Sequence, residues 1–583
     1  MCRFKLYYHK IMPIFQLLFS MVWLSNLSDT DAFFSVYTLI AFFSFYLQLH
    51  YFSKNSLSVK NKSGCVLLST LFSFSVFLAN YPLFTTLGDP ALIGRSTSIL
   101  MNLIDGCFTF FGGICVFCPV VLFFFSYFPV IAAGEGKTIH KLLPWITVFT
   151  SFLIINLIHL FFVEFPGNVT EDTFTQIGEM ISGRYSNFNT FWHTILFQSV
   201  LTGVYRIFQD QNISIAVFCI FQILIFAFAF TYCLETMYQY GVPKKWLVAT
   251  YCVYAFLPYN IALSITIWKD VLFAAGCLVM ITAWFRILYG IGIKKIYNYI
   301  IFVAGSILFL LSRTNGWIIY LVSFLFVLFF ARSNRRFAVL MGSLAVFGWF
   351  LLNPALSILN VSGGDLVESL SIPVQQVSRV VVEECELTEG ERELLSQVID
   401  LDEVPYLYTE WLSDPMKVEL RSKNYEYFIQ HFDEYRSLWV QLGMRYPIQY
   451  LKAWVDQTKG YWNAGYDYAL YSETITDNPY GIMKSANGNV IASLSRLYFG
   501  LSRHVIFFEP FHSIGLHVWV FFLCFLLNVV KKRKQCLIFI PLILLIVGLW
   551  FGTPVYCCFR YVYPLFVSLP LLVFTSLFLP VIE

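Results

Sequence analysis

Long apolar runs separated by short polar breaks make up most of this 583-residue chain. A helix that crosses a bilayer needs roughly 20 predominantly apolar residues. Runs of that kind lie near Ile11–Leu24, Phe33–Phe52, Cys65–Phe84, Cys107–Ile131 and Leu142–Val163. Others lie near Ile213–Met237, Leu247–Ile267, Val271–Tyr289, Tyr297–Leu311, Trp317–Ala331 and Phe337–Ile358. The last are near Ser513–Val530, Cys536–Gly552 and Tyr561–Val581. The pattern predicts an all-α polytopic membrane protein with about 14 transmembrane helices. Two polar stretches interrupt it, Glu164–Asn212 and Leu359–Phe508.

Within the first of these, Phe191–Phe208 is ambiguous as a span, and the basic residues settle the choice. Cytoplasmic loops carry an excess of Lys and Arg. The clusters are Arg3/Lys5/Lys10, Lys54/Lys60/Lys62, Lys137/Lys141, Lys244/Lys245, Lys294/Lys295, Arg332/Arg335/Arg336 and Lys531/Lys532/Arg533/Lys534. If Phe191–Phe208 spans, the later clusters fall on the opposite side from the earlier ones. If it is re-entrant or interfacial, all share one side, and that reading is adopted. The expectation is a multi-pass cell-membrane protein with both termini cytoplasmic. Residues 164–212 and 359–508 are then extracytoplasmic.

The first loop contains a helical pattern. Asn168 followed by Glu171 reads as a capping box. Asp172, Gln176 and Glu179 share one helical face, and Phe174, Ile177 and Ile181 share the opposite one. Such a helix is expected on the membrane surface with its carboxylates upward. The second polar stretch has the length of a small, mainly helical domain. It holds helical periodicity at Tyr425–Leu442, an acidic run around Glu383–Glu391 and an aromatic-rich segment, Gly460–Tyr468.

Composition agrees with a membrane protein. Hydrophobic residues make up 58% and charged residues 13%, against about 25% charged in a soluble domain. Net charge is +3 with no basic patch, so nucleic acid is not an expected partner. Of the 14 cysteines, only Cys385 falls in the long polar region, which excludes an internal disulfide there. Cys115 and Cys118 form a C-x-x-C in mid-span, where ordinary packing explains them. The N-terminal run has signal-peptide flavour but no small-residue cleavage site follows, so it reads as a first span.

This topology gathers ionisable groups at the outer face. Glu171 and Asp172 sit in the first loop. Lys269 and Asp270 sit in the tight turn TIWKDVLF, Arg313 in LSRTNGW, and Arg560 at the start of the last span. Singly, each is explained by a helix end, where a charge costs little and long side chains snorkel. Together they suit a lipid-linked sugar phosphate. Its phosphate leaving group departs with help from cations rather than from a general acid. One carboxylate serves as general base for the incoming hydroxyl. A glycosidase would want two facing carboxylates instead. A lipid-linked oligosaccharide polymerase or ligase, leaning on arginines, remains an alternative. So does a transporter or flippase, although transporters place charges near the midplane and show repeats, and no repeat is visible.

The order of these segments resembles the GT-C superfamily of polytopic glycosyltransferases. Within that class it is most similar to a little-characterised set of Gram-positive GT-C-like membrane proteins. The residues that carry the resemblance are Pro166, Gly167 and Asp172 with Gln176; His193-Thr194; Trp268-Lys269-Asp270; Arg313-Thr314-Asn315-Gly316; Pro373-Val374-Gln375-Gln376; Gly460-Tyr461-Trp462; and Arg560-Tyr561-Val562-Tyr563-Pro564. The resemblance implies a GT-C-like transmembrane module at 142–358 with its external loop at 164–212. A four-helix addition at 1–141 would precede it, an external domain would occupy 359–508, and the C-terminal helices would occupy 509–583. It implies sugar transfer from a polyprenyl-phosphate donor to an external glycan or cell-wall polymer. Asp172, Glu171 and His193 are then catalytic candidates. Lys269, Asp270, Arg313, Asn315, Gln375, Gln376, Trp462 and Arg560 are candidates for binding substrate or phosphate. No ligand spacing demands a metal, though a carboxylate-bearing loop can hold a divalent cation. There is one departure: Asn189-Thr190 stands where that set carries His-Pro.

Overall fold

The computed structural model describes residues 16, 18–23, 36–48, 62–80, 99–127, 142–292, 294–330, 335–465, 478–484, 488–504, 509–552 and 554–578. The expected first span and the basic clusters at 3–10, 54–60 and 137–141 lie largely or wholly outside these residues. Among the described residues, secondary structure is helical apart from isolated β-bridges. The N-terminal helices are α1 (Val36–Tyr46), α2 (Lys62–Asn80) and α3 (Ile99–Tyr127). The central set begins with α4 (Leu142–Phe162), α5 (Glu171–Ser182), α6 (Phe191–Phe208) and α7 (Gln211–Tyr240). It continues with α8 (Lys244–Phe256), α9 (Pro258–Ser264), α10 (Lys269–Tyr289), α11 (Lys295–Ser312), α12 (Thr314–Phe330) and α13 (Arg335–Leu352).

Among the described residues, eight helices are long and apolar enough to cross a membrane, and nine spans result if the bent pair α8–α9 is counted as one. Shorter apolar helices, including α1 and α12, account for further predicted runs. The run Leu247–Ile267, expected as one span, is broken by 50° between α8 and α9. The cause is local. Pro258 has no N–H to donate, and the residue before a proline is pushed out of the α region; Leu257 accordingly sits at φ −64°, ψ 130°. α6 is one unbroken helix and is not among the candidate spans.

α10 is the buried axis of the bundle. It is apolar all round, as a helix surrounded by others must be, and packs against α7 and α11. Its close approach to α11 depends on two glycines. A Cβ on Gly276 would lie 2.7 Å from the Phe309 backbone nitrogen, and one on Gly305 2.7 Å from that of Met280. Small residues at such crossings let helix backbones touch in lipid.

Beyond α13 the chain forms α14 (Ser371–Val382), α15 (Glu389–Ser396), α16 (Asp414–Gln430), α17 (Phe432–Arg445) and α18 (Pro447–Thr458). This region has a hydrophobic core of its own, from Val367 to Tyr450. From Val455 onward the buried apolar side chains pack with the membrane bundle instead, Ile482 in a second cluster with Ile177 and Phe197. Residues 478–484 and α19 (Val490–His504) return to the bundle: Tyr480 stacks on Phe174 at 5.9 Å and Phe499 on His159 at 5.6 Å. The chain closes with α20 (Ile514–Val530), α21 (Cys536–Phe551) and α22 (Phe559–Leu577). Trp519 on α20 meets Phe72 on α2 edge-on at 5.4 Å, which ties the N-terminal helices to the C-terminal ones.

The two ends of the bundle differ. At one, Tyr289 donates to Gln535, Tyr240 to the Phe578 carbonyl and Arg533 to the Ser576 carbonyl. Lys294 and Lys295 lie beside that end in sequence. The other end carries the starts of α5, α10, α12 and α22.

Candidate active site

A short zipper between two loops builds this second end. Asn168 donates its backbone N–H to the Ile265 carbonyl at 2.9 Å, and Ile267 returns a bond to the Asn168 carbonyl at 3.0 Å. The Asn168 amide also donates to the Thr266 hydroxyl. Gly167 allows the approach, with φ +124° and no room for a Cβ against Cys219. Asn168 is therefore not the cap of α5, contrary to the sequence reading. Thr170 is the N-cap, and its N–H donates to the Thr173 hydroxyl at 3.3 Å. Thr173 in turn donates to the Ile267 carbonyl, and Trp268 Nε1 to the Thr170 hydroxyl at 2.7 Å. The first turns of α5 and α10 are thus fastened side by side.

Asp172 on α5 and Asp270 on α10 meet across arginine. Arg560 Nη1 lies 2.7 Å from Asp172 Oδ2, and its Nε lies 3.9 Å from Asp270 Oδ2. Arg313, between α11 and α12, places Nε 3.1 Å from Asp270 Oδ1. Aromatic faces orient both guanidiniums, as cation–π stacking does. Arg560 lies 4.9 Å from the Trp268 ring and 5.0 Å from that of Tyr561, and Arg313 lies 4.6 Å from Tyr561. Lys269 donates to the Phe188 carbonyl at 2.7 Å and covers the Phe188 ring. Residues spread over almost 400 positions thus form one cluster of three cations and two carboxylates. Asp270 is 1% exposed, yet neither of its oxygens accepts a hydrogen bond.

The other sequence candidates divide. Glu171 and Asn315 are exposed at the edge of the cluster. His193 is buried behind it: Nδ1 lies 2.9 Å from Gln176 Nε2, which also donates to the Thr194 hydroxyl, and Nε2 has no partner. Burial, reinforced by the Lys269 charge, pushes the His193 pKa down to about 3. The imidazole is therefore neutral, a hydrogen-bonding post rather than a ready proton carrier. Gln375 and Gln376 are not brought to the cluster. They sit inside the separate helical unit, donating to the Thr409 and Tyr450 carbonyls. Trp462 is 4% exposed, with Nε1 on the Thr458 hydroxyl and its carbonyl accepting from Trp519 at 2.7 Å. It offers no face to a sugar.

The Gly460–Trp462 segment has a different place. Gly460 leaves no room for a Cβ against Cys557, and the Tyr461 hydroxyl donates to the Val555 carbonyl. It clamps the loop that leads to Arg560. Glu179 is 9% exposed and accepts the Ser186 hydroxyl; burial pushes its carboxyl above the usual range. The α5 face bearing Gln176 and Glu179 therefore points into the protein, while Ile181 at 71% exposure points out. On the opposite face Ile177 is buried as well and Phe174 packs on Tyr480, so α5 meets protein on both of the faces read from sequence. A cavity of about 300 Å³ borders α5, α6 and α7, lined by Ile177, Met180, Leu201, Tyr205 and Ile482; it lies on the other face of α5 from Asp172. Thr190, in the place of the missing His-Pro pair, has φ +62°. A proline could not take that angle, so the loop follows a course that His-Pro would forbid.

Among the described residues, no three His, Cys, Asp or Glu side chains gather as metal ligands. The cluster itself does not fit a divalent cation. Both carboxylates already face guanidiniums, and the cations outnumber them.

The buried apolar axis, the helix bundle and the charged end define an all-helical polytopic membrane protein. The chain belongs to a family of unknown function (DUF6020), whose pattern it matches over residues 179–578. That span takes in α6, α10, Arg313 and Arg560 but begins after Asp172. No curated protein and no solved structure matches the chain.

Proposed function

We propose that this protein is a membrane glycosyltransferase of the GT-C type with about 14 crossings. It moves a sugar from a polyprenyl-phosphate donor to a glycan or cell-wall acceptor on the extracytoplasmic side. The observation that carries this reading is the meeting of Asp172, Lys269, Asp270, Arg313 and Arg560 at one end of the bundle. In the proposed step, the acceptor hydroxyl oxygen bonds to the anomeric carbon and its proton passes to Asp172. The bond from that carbon to the phosphate oxygen breaks, and its electron pair leaves with the lipid phosphate. Arg560, Arg313 and Lys269 offset the charge that develops there. Substrate entry parts Arg560 from Asp172, which releases a base and a phosphate-binding cation together. Asp270, held between both arginines, aims them.

The cluster sits at helix ends rather than at mid-bundle, which favours group transfer over a transporter. The engagement of both carboxylates by arginine is the feature that a lipid-linked oligosaccharide polymerase or ligase would share. The test is Asp172→Asn in membranes supplied with a labelled polyprenyl-phosphate sugar. Loss of a general base lowers transfer by about 10²–10⁴-fold. Undiminished incorporation by the variant removes Asp172 from the mechanism and leaves the arginine-led reading.

A further inference from the structure

The helical unit between Val367 and Tyr450 encloses a second chemical environment. α14, α15, α16 and α17 surround a cavity of about 270 Å³ whose walls include Val374, Val377, Leu420, Phe428, Leu438 and Trp439. The polar atoms of its aromatic walls are engaged elsewhere. The Tyr435 hydroxyl donates to the Leu394 carbonyl at 2.9 Å, and Trp439 Nε1 donates to Gln376 Oε1 at 2.8 Å. Protein interiors pack like organic crystals, with few voids larger than a water molecule. An enclosed apolar cavity of ~150 Å³ stays dry and takes up benzene; this one is larger and open on one side. It is also built into the backbone. α16 is broken at Asn424 (φ −155°, ψ 65°), and Leu420 and Phe428, on either side of the break, both line the space.

One lining side chain is charged. Arg436 is 65% exposed, held only by a solvent-facing pair with Asp433 at 3.1 Å; such pairs are weak and readily exchanged. We propose that the cavity binds the hydrocarbon tail of a single-chain amphiphile whose anionic head is held at its mouth by Arg436. The interior is apolar apart from Ser378, and the one charged side chain that lines the space is Arg436. At the ~30 Å³ that a water-sized group occupies, the space admits roughly nine such groups, most of one twelve-carbon tail and not two tails. The site stands apart from the charged cluster at the helix ends, and its success or failure does not depend on sugar transfer.

The experiment uses the full chain in lipid nanodiscs with three photoactivatable twelve-carbon probes of identical tail. Their heads are a carboxylate, a phosphate and an alcohol. After irradiation, labelled peptides are mapped by mass spectrometry. Label from the anionic probes is expected in residues 370–440, suppressed at least tenfold by excess dodecanoate. Val377→Trp, which fills the space, is expected to lower that label at least tenfold while labelling of the membrane-spanning helices stays constant. Leu420→Phe is the second filling variant and gives the same readout if Val377→Trp does not accumulate. Arg436→Glu is expected to cut capture of the anionic probes severalfold and to leave the alcohol unchanged. The ratio of carboxylate to phosphate capture identifies the headgroup. Label confined to the membrane-spanning helices overturns the proposal, as does cavity label that neither filling variant reduces. Equal capture of all three probes by Arg436→Glu and the native chain overturns the assignment of the head.

Discussion

Asp270 and Asp456 are equally buried, each 1% exposed, and both face two cations. Their surroundings nevertheless differ. Asp456 joins α18 to α14: Arg379 Nη1 donates to Oδ2 at 2.8 Å and Lys459 Nζ to Oδ1 at 3.1 Å. Arg379 is closed in turn by Glu383 at 2.6 Å and by the Tyr408 hydroxyl. Asp270 has its arginines at 3.1 and 3.9 Å, and neither oxygen accepts a hydrogen bond. A buried network that serves only the fold satisfies its members, because each lost bond costs about 1–3 kcal/mol. One left partly open calls for another reason. The closed network reads as architecture, and the open one is the cluster on which the proposed transfer rests.

The largest expected effect sharpens that contrast at the open end. Arg560→Gln removes the cation that spans Asp172 and Asp270, and sugar transfer should fall by about 10²–10³-fold, the scale of a lost charge-stabilising donor. Arg560→Lys keeps the charge but neither the bidentate reach nor the stacking between Trp268 and Tyr561, and should recover only part of the rate. Transfer assays on both variants decide the matter. A rate unmoved by either would make the open network as structural as the closed one.

The next effect belongs to the closed network. Arg379→Met leaves the Asp456 and Glu383 carboxylates short of a buried partner, at a cost of about 3–5 kcal/mol. Chemical unfolding followed by peptide mapping should show the loss around α14 and α18, with transfer per folded molecule unchanged. A variant of native stability but impaired transfer would erase the distinction.

Why one network was legible in sequence and the other was not follows from their positions. Asp172, Lys269, Asp270, Arg313 and Arg560 punctuate apolar runs, so span counting and the distribution of Lys and Arg put them at one face before any contact was known. Arg379 and Asp456 sit among many polar residues, where sequence does not separate a buried charge from a solvated one. The same blindness placed Gln375, Gln376 and Trp462 among ligand contacts, although their partners are the Thr409, Tyr450 and Thr458 groups. The packing around α5 was out of reach for another reason. Its two faces were read correctly, but protein packs on both, through partners such as Tyr480 and the Asn168–Thr266 bridge that lie far off in the chain. The Pro258 break was written in the chain, yet the run Leu247–Ile267 was long enough to pass for one helix.

His193 gives the smallest effect and probes the ground behind the open cluster. Its folded pKa is depressed, from 6.5 to about 3, chiefly by burial and then by Lys269, with Asp172 pulling the other way. A depressed histidine keeps its full contribution above the unfolded value near pH 6.5 and loses it as pH falls toward about 3. At pH 5 the loss is roughly 2 kcal/mol. His193→Asn removes the titrating group, so the native chain should lose more stability than the variant between pH 7 and pH 5, by that amount. Thermal unfolding in nanodiscs at the two pH values measures it. Parallel pH profiles would mean that His193 meets solvent in the folded state. The cluster would then be open on its inner side as well, with His193 available to carry a proton after all.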